Sequence, residues 1–309
     1  MSKLSGTPDR TITLPRVDPD RLDLTGKRIA VVGGTGGLGR ALAAFMAARG
    51  AEVTVVGRTF RDQGVARLSF VPADLESMAE ARRVGQALPA EALDALVLTT
   101  GIMTARAREA TREGLERDLA VSYLSRLAIV REAAPRLGSA RSGGPRPRLF
   151  VMGFPGTGQA GDPDDLNSER SYQAFAAHMN TVAGNEALVL DAAARYPHLG
   201  AFGLNPGLIA TDIRSNYLGA GSFKHRAIEW LIGLFMPSPE KYARRVGAAL
   251  FAPELERASG IHINPKGVAI RPSEVMTPER VSTLIARSEA LLSRALGAAG
   301  ATGAAAQAS

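Results

Sequence analysis

The stretch RIAVVGGTGGLG, residues 28–39, carries a short apolar run directly into a glycine-rich turn. Apolar runs of this length are typical of strands that are buried on both faces of a parallel sheet. Gly33 permits a tight turn, Gly37 lets the backbone approach a pyrophosphate, and Gly39 permits close packing of helix on strand. The amino terminus of the following helix would face the anion. The stretch therefore predicts a dinucleotide-binding strand-turn-helix unit.

Strand-like and helix-like segments alternate along the rest of the chain. Periodicity predicts helices over 40–49, after Asp74, over 113–134, over 172–196 and over 277–298. Such alternation favours an α/β fold of the Rossmann type, a doubly wound parallel sheet in a single domain with a helical lid. The further predicted strands are 52–56, 68–71, 95–99, 148–152, 200–204 and 261–264.

The composition of the chain predicts its domain limits. Residues 1–26 are polar and read as a tail, and the domain would span 27–290. Aromatic and apolar residues lie between glycines and prolines over 212–245, a pattern that we interpret as a lid over the active site. Residues 291–309 are rich in alanine and glycine and are predicted to form a second tail.

Several classes of function are disfavoured by composition. The chain has no cysteine, and its four histidines lack the i, i+4 spacing of a helical zinc site, so we expect no metal. The net charge of +7 comes from scattered arginines without a basic run, which argues against nucleic acid. The longest apolar stretch, 227–236, is too short for a membrane span. The first residues do not resemble a targeting signal, so a cytoplasmic protein is expected.

The end of the second strand distinguishes between the two nicotinamide cofactors. An acidic side chain there accepts hydrogen bonds from the ribose of NAD, whereas an arginine accommodates the extra phosphate of NADP. Here Gly57 is followed by Arg58, with Arg61 nearby. NADP is therefore favoured over NAD, although Arg58 could instead be one surface arginine among many.

The order of these motifs resembles the short-chain dehydrogenase/reductase family over residues 26–290. The resemblance implies that Asp74 contacts the adenine and Thr211 the nicotinamide amide. It is carried by Gly33-x3-Gly37-x-Gly39, Gly57-Arg58, Asp74-Leu75, Gly101 and Pro206-Gly207-x3-Thr211. The implied cofactor contacts are Gly33, Gly37, Leu38, Gly39, Arg58, Asp74, Leu75, Gly101, Pro206, Gly207 and Thr211.

The segment from Tyr172 onwards, with Asn185 and Glu186, is most similar to the retinol-dehydrogenase-type branch. A gap-free alignment on this segment shows that the family's catalytic residues are replaced. No lysine of the chain follows a tyrosine by four positions. His178 stands at the position of the catalytic Tyr, Val182 at the Lys, Phe154 at the Ser and Ser122 at the Asn.

His178 is the best remaining candidate for a proton donor. An imidazole both donates and accepts protons near neutral pH, and Ser122 stands where the family has its helix Asn. The alternatives are that His178 is a packed or solvated residue, or that Tyr172 donates the proton. The catalytic candidates are thus His178 and Ser122.

Three functions remain open on the sequence. The first is an NADP-dependent oxidoreductase that acts on a small apolar carbonyl or alcohol substrate. The second is a catalytically inactive NADP-binding sensor or scaffold. The third is an isomerase or dehydratase that uses His178 without a redox step. The resemblance also implies a homodimer or homotetramer that pairs through the helices 113–134 and 172–196.

Overall fold

An eight-stranded sheet lies at the centre of the protein. The computed structural model describes residues 5–207 and 238–307. The strand order is β3-β2-β1-β4-β5-β6-β7-β8, and all neighbours are parallel except the antiparallel β7 and β8. The predicted doubly wound parallel sheet is confirmed. The strands are β1 (Arg28–Val32), β2 (Glu52–Gly57), β3 (Leu68–Pro72), β4 (Ala95–Leu98), β5 (Arg148–Met152), β6 (Gly200–Leu204), β7 (His262–Ile263) and β8 (Ala269–Ile270).

Helices cover both faces of the sheet, since the inner strands are apolar on both sides. Helices α1 and α6 bury one face, while α2, α4 and α5 bury the other, with α7 packed outside them. The helices are α1 (Gly37–Ala48), α2 (Met78–Ala87), α3 (Arg117–Leu119), α4 (Ser125–Ala133), α5 (Ala174–Arg195), α6 (Pro239–Ala249) and α7 (Pro278–Gln307). No helix within these described ranges combines the length and hydropathy that a membrane span requires.

The strand order reverses between β1 and β4, which opens a crevice at the carboxyl ends of these two strands. Crevices of this kind are where doubly wound sheets bind their ligands. The turns after β1, β2, β4, β5 and β6 all reach this edge. The topology therefore gathers the residues that were singled out from the sequence on one side of the molecule.

The predicted helix over 113–134 is interrupted by a π-helical turn. The turn spans Ala120–Leu124 and joins α3 to α4, with Ser122 at its centre. Such a turn carries one extra residue and often marks a functional site. The Ser122 carbonyl accepts a hydrogen bond of 2.9 Å from the Asn185 side chain.

The predicted lid over 212–245 needs correction at its carboxyl end. Residues 239–245 form the first part of α6, whose amino terminus is capped by the Ser238 hydroxyl. Tyr242 and Ala243 are buried against α1, so this part of the segment belongs to the core. Thr211 and residues 212–237 lie outside the described residues.

The predicted amino-terminal tail is ordered over 5–26 and covers an edge of the sheet. Pro8 forms a bridge with Ile270 in β8, and the Asp9 amide donates to the Ala269 carbonyl at 2.9 Å. Leu24 is buried in the core. Since an uncovered edge strand offers unpaired backbone groups to other chains, this segment protects β8 from such pairing.

The carboxyl-terminal boundary predicted at 290 comes too early. Helix α7 continues to Gln307, and its residues Leu292 and Ala295 are buried in the core. Residues 291–298 therefore belong to a helix that packs through Leu292 and Ala295, rather than to a tail.

Helix α7 also covers the outer faces of α4 and α5. The Tyr123 hydroxyl donates to Ser288 at 2.8 Å, and Arg131 pairs with Glu289 at 2.7 Å. Arg131 also pairs with Asp191 of α5 at 2.8 Å. The face through which the resemblance implied subunit pairing is thus occupied by the chain's own helix.

Candidate active site

The glycine-rich turn packs too closely against its neighbours to admit side chains. Gly33 has a φ of 86°, a value that favours glycine, and a Cβ there would overlap the Thr100 backbone. A Cβ on Gly39 would overlap Thr99 and the Gly33 carbonyl. This packing holds the first turn of α1 against the ends of β1 and β4, with the helix amino terminus facing the crevice.

The residues around this turn fit a dinucleotide. The Thr100 hydroxyl is buried beside Gly33 and has no hydrogen-bond partner among the described residues. Arg58 follows β2 and is exposed, and its guanidinium makes no ion pair within the described ranges. A buried hydroxyl, a helix amino terminus and a free cation at one crevice are what a phosphorylated dinucleotide needs.

The remaining predicted cofactor residues lie at the same edge of the sheet, with different surroundings. Asp74 is exposed after β3, and its carboxylate accepts a 3.1 Å hydrogen bond from the Glu76 amide. Leu75 is buried in the core, so only its backbone could face a ligand. The half-buried Leu38 lies in α1, Gly101 follows β4, and Pro206 and Gly207 follow β6.

His178 is joined to a buried aspartate across the crevice. Its Nδ1 lies 2.7 Å from Oδ2 of Asp118, and the Asp118 side chain has no exposed surface, whereas His178 is about one-fifth exposed. A carboxylate on Nδ1 fixes that nitrogen as the donor and leaves Nε2 for other partners. No hydrogen bond joins Nε2 to the residues that the structure describes. The arrangement presents one imidazole nitrogen for proton exchange.

Ser122 lies behind this pair rather than beside the exposed imidazole nitrogen. Its hydroxyl donates to Oδ1 of Asp118 at 2.5 Å and accepts from the Ile102 amide at 3.0 Å. The contacts therefore run from the loop after β4 to Ser122, from Ser122 to Asp118, and from Asp118 to His178. Ser122 holds the carboxylate that orients the histidine.

Comparisons with known proteins indicate the family of this chain. A family model described as short chain dehydrogenase matches residues 27–144. A Saccharomyces cerevisiae protein described as an uncharacterized oxidoreductase is 46% identical over 293 residues, which are 93% of this chain and 95% of that protein. The chain belongs to the short-chain dehydrogenase/reductase family. This family consists of oxidoreductases that bind a nicotinamide cofactor.

Two further proteins are similar to this chain, one in sequence and one in fold. Oxidoreductase calI of Penicillium decumbens is 26% identical over 85% of this chain and 83% of its own length. The crystal structure of an uncharacterized protein from Mycobacterium paratuberculosis has a TM-score of 0.61 at 18% identity, and covers 90% of this chain and 98% of that one. The retinol-dehydrogenase-type branch stays a prediction.

Tyr172, the alternative donor, is engaged elsewhere in this short-chain dehydrogenase. Its hydroxyl donates to the Ala105 carbonyl at 2.6 Å, and the Thr104 hydroxyl donates to the Ala174 carbonyl at 2.9 Å. Burial, and then the charges of Glu116 and Asp118, raise the pKa of Tyr172 to about 12. Tyr172 therefore ties the loop after β4 to the start of α5 and is a poor proton donor.

The other positions that depart from the family pattern are apolar. Val182 lies one helical turn after His178 and is buried, and Phe154 is half-buried in the turn after β5. Neither side chain donates a hydrogen bond. Asp118 is the residue that the sequence reasoning missed, although it lies four positions before Ser122, a spacing that places both on one face of a helix.

Proposed function

We propose that this chain is an NADP(H)-dependent oxidoreductase that interconverts a carbonyl and an alcohol on an apolar substrate, with His178 as the proton donor. The 2.7 Å contact between His178 and the buried Asp118 carries the proposal. A histidine that is oriented by a carboxylate and keeps one free nitrogen is a general acid-base arrangement.

The proposed reduction moves one hydride and one proton. NADPH, when bound, supplies the hydride to the carbonyl carbon. Nε2 of His178 gives its proton to the carbonyl oxygen, so that the carbonyl becomes an alcohol. Asp118 balances the positive charge of the imidazole before that transfer, and Ser122 keeps the carboxylate in place.

Replacing the orienting carboxylate tests this division of roles. We expect Asp118→Asn to lower kcat by about 1,000-fold, because the amide cannot fix the same tautomer or balance an imidazolium. The NADPH dissociation constant should stay within about twofold, since Asp118 lies behind His178. Steady-state reduction of apolar ketones and aldehydes measures kcat, and calorimetry measures the dissociation constant.

Asp94→Asn is the matched control for that variant. Asp94 precedes β4 at the opposite edge of the sheet and pairs with Lys27 at 3.1 Å and Arg141 at 2.8 Å. The kcat of the Asp94→Asn variant should remain close to that of the unmodified chain. Equal activity of Asp118→Asn and Asp94→Asn would contradict the proposed role of Asp118.

The preference for NADP is proposed from the free guanidinium of Arg58. Arg40, in the first turn of α1, is engaged by Asp62 at 2.6 Å, which leaves Arg58 and Arg61 for the phosphate. A short chain dehydrogenase of Shigella flexneri with the same fold, at a TM-score of 0.58 and 15% identity, was crystallised with NADP. The likeness in fold is compatible with this cofactor.

Removing this guanidinium should weaken the binding of NADPH but not that of NADH. We expect Arg58→Ala to raise the dissociation constant of NADPH by about 10- to 100-fold, the value of one charge-assisted hydrogen bond, and to leave NADH binding unchanged. Calorimetry with both cofactors measures this, with the exposed Arg82 of α2 replaced by alanine as a control. Equal loss of both cofactors would contradict recognition of the phosphate by Arg58.

The substrate class is proposed from relatives and from the apolar positions in the site. A Streptomyces protein provisionally named daunorubicin C-13 ketoreductase is 29% identical over 69% of this chain. That name supports a ketone as substrate. The half-buried Phe154 in the turn after β5 favours an apolar group on the substrate. A cytoplasmic location and a homo-oligomer stay predictions, and pairing would need a surface other than the one that α7 covers.

Val182 supports a second candidate function. It supplies no cation to bind the nicotinamide ribose, so the chain could bind NADPH as a sensor or scaffold without turnover. NADPH binding with no reduction of any ketone or aldehyde in the panel would favour this second function.

A further inference from the structure

A positively charged side chain is buried directly beneath the candidate active site. Arg126 lies in α4 with only 3% of its surface exposed. Its guanidinium donates to the Asn185 side chain at 2.8 Å and to the backbone carbonyls of Thr100 and Met152. Thr100 follows β4 and Met152 ends β5. The guanidinium therefore lies between the carboxyl ends of β4 and β5, next to the crevice.

The hydrogen bonds of Arg126 do not neutralise its charge. All three acceptors are uncharged amide or carbonyl oxygens, and Nε has no hydrogen-bond partner among the described residues. A buried cation without a counter-charge is costly, so its position requires an anion nearby. Burial lowers the pKa of Arg126 to about 9, and the charge of Asp118 opposes that shift. Hydrogen bonds link Asp118 to Arg126 through Ser122 and Asn185, which makes this carboxylate the candidate counter-charge.

The buried carboxylate of Asp118 in turn requires a positive charge nearby. This carboxylate is fully buried and contacts the Ser122 hydroxyl and the His178 imidazole. Among the described residues, the neighbouring charged or titratable groups are Glu116 of the same chain segment, on which the charge of Arg108 acts, and Tyr172, which lies before α5. Neither of these supplies a positive charge. Val182 stands where the family places its lysine, so no cation comes from that position of α5.

We infer that Arg126 is a positioning residue whose buried cation balances the charge of the Asp118 carboxylate and thereby orients His178. The inference rests on the proposed function for the role of His178. A second connection runs through Asn185, which accepts from Arg126 and donates to the Ser122 carbonyl at 2.9 Å. The positive charge is thus supplied from α4 instead of from α5, while Asn185 of α5 completes the hydrogen-bonded connection.

The charge of Arg126 has a consequence for proton binding that packing alone does not have. A cation beside the Asp118–His178 pair disfavours the uptake of a further proton by the pair. Removing the cation should raise the proton affinity of the pair, whichever of the two groups holds the proton. A side chain that only filled space or held backbone carbonyls would leave this affinity unchanged.

The test follows the carbon-bound imidazole proton of His178 by NMR against pH, without cofactor or substrate. His178→Asn identifies the resonance. Arg126→Gln keeps an amide that donates hydrogen bonds, and should move the titration midpoint upward by roughly one pH unit. Arg126→Lys keeps the charge and should leave the midpoint unchanged. Identical midpoints in Arg126→Gln and in the unmodified chain would overturn the inference.

A reciprocal measurement covers the case in which Arg126→Gln fails to fold. Coupling between two titrating groups acts equally in both directions. Asp118→Asn should therefore move the deprotonation of Arg126, followed by the guanidinium carbon resonance, to lower pH by roughly one unit. An unchanged Arg126 titration would overturn the inference.

Measurements of activity distinguish a failure of this inference from a failure of the proposed function. A shifted His178 titration in a chain that reduces no substrate would refute the proposed function and leave the coupling intact. Where the chain is active, the pH profile of kcat should shift in the same direction as the NMR titration in Arg126→Gln, and Arg126→Lys should restore the original profile.

Discussion

His178→Ala is expected to lower kcat for carbonyl reduction by about 100- to 10,000-fold, the range that a positioned general acid contributes. The Tyr and Lys that perform this step in the family are absent from their positions, and the Tyr172 hydroxyl is bound to the Ala105 carbonyl. The NADPH dissociation constant should change little, because the glycine turn and Arg58 are untouched. Absorbance of the reduced nicotinamide measures turnover, and calorimetry measures binding.

His198→Ala is the control for this variant. His198 lies beyond α5, and its Nε2 is 3.0 Å from the Ala134 carbonyl, away from the crevice. This variant should turn over at close to the original rate. Full activity of His178→Ala would contradict His178 as the donor. Binding of NADPH without turnover by the unmodified chain would instead favour the sensor or scaffold.

Glu186→Ala is expected to lower the free energy of unfolding by about 3–5 kcal/mol, the cost of removing a buried carboxylate from its hydrogen-bond partners. Glu186 lies in α5 with no exposed surface. Its carboxylate accepts from the Ser273 amide at 2.6 Å and the Gly156 amide at 3.2 Å, and lies 3.2 Å from Nε2 of His262. The variant would leave these buried donors without an acceptor. Urea denaturation at pH 7 measures the loss.

The pH dependence of that loss follows from the pKa of Glu186. Burial raises this pKa, but the hydrogen bond and charge of His262 and the hydrogen bonds of Ser273 outweigh burial, so the pKa lies below its ordinary value of 4.5. A lowered pKa in the folded state stabilises the protein above the unfolded pKa, and this contribution disappears as the pH falls through the folded pKa. The difference between the variant and the unmodified chain should therefore narrow below about pH 4.5.

Glu80→Ala provides the matched control for the stability measurement. Glu80 pairs with Arg83 at the surface of α2, and exposed pairs of this kind contribute about 0–1 kcal/mol. A loss of equal size in Glu80→Ala and Glu186→Ala would contradict the special contribution of the buried carboxylate.

Local patterns in the sequence predicted most of the secondary structure. The apolar runs that precede Gly33 and Gly153 are buried strands, since burial on both faces of a parallel sheet requires continuous apolar residues. The glycines of the first turn were equally predictable, because close packing against Thr99 and Thr100 excludes a side chain. Composition was a poorer guide at the two ends of the chain. A polar segment can still cover a strand edge, and an alanine-rich segment can still pack as a helix.

The sequence by itself determined that the chain has a dinucleotide-binding fold and that the family's Tyr and Lys are replaced by His178 and Val182. Only the tertiary structure joined His178 to Asp118, 60 residues away in the chain, and set Arg126 beneath them. The physical reason is the range of the interactions. A strand or a glycine turn is fixed by neighbouring residues, whereas a buried charge is balanced by a group that the packing of α3, α4 and α5 brings near.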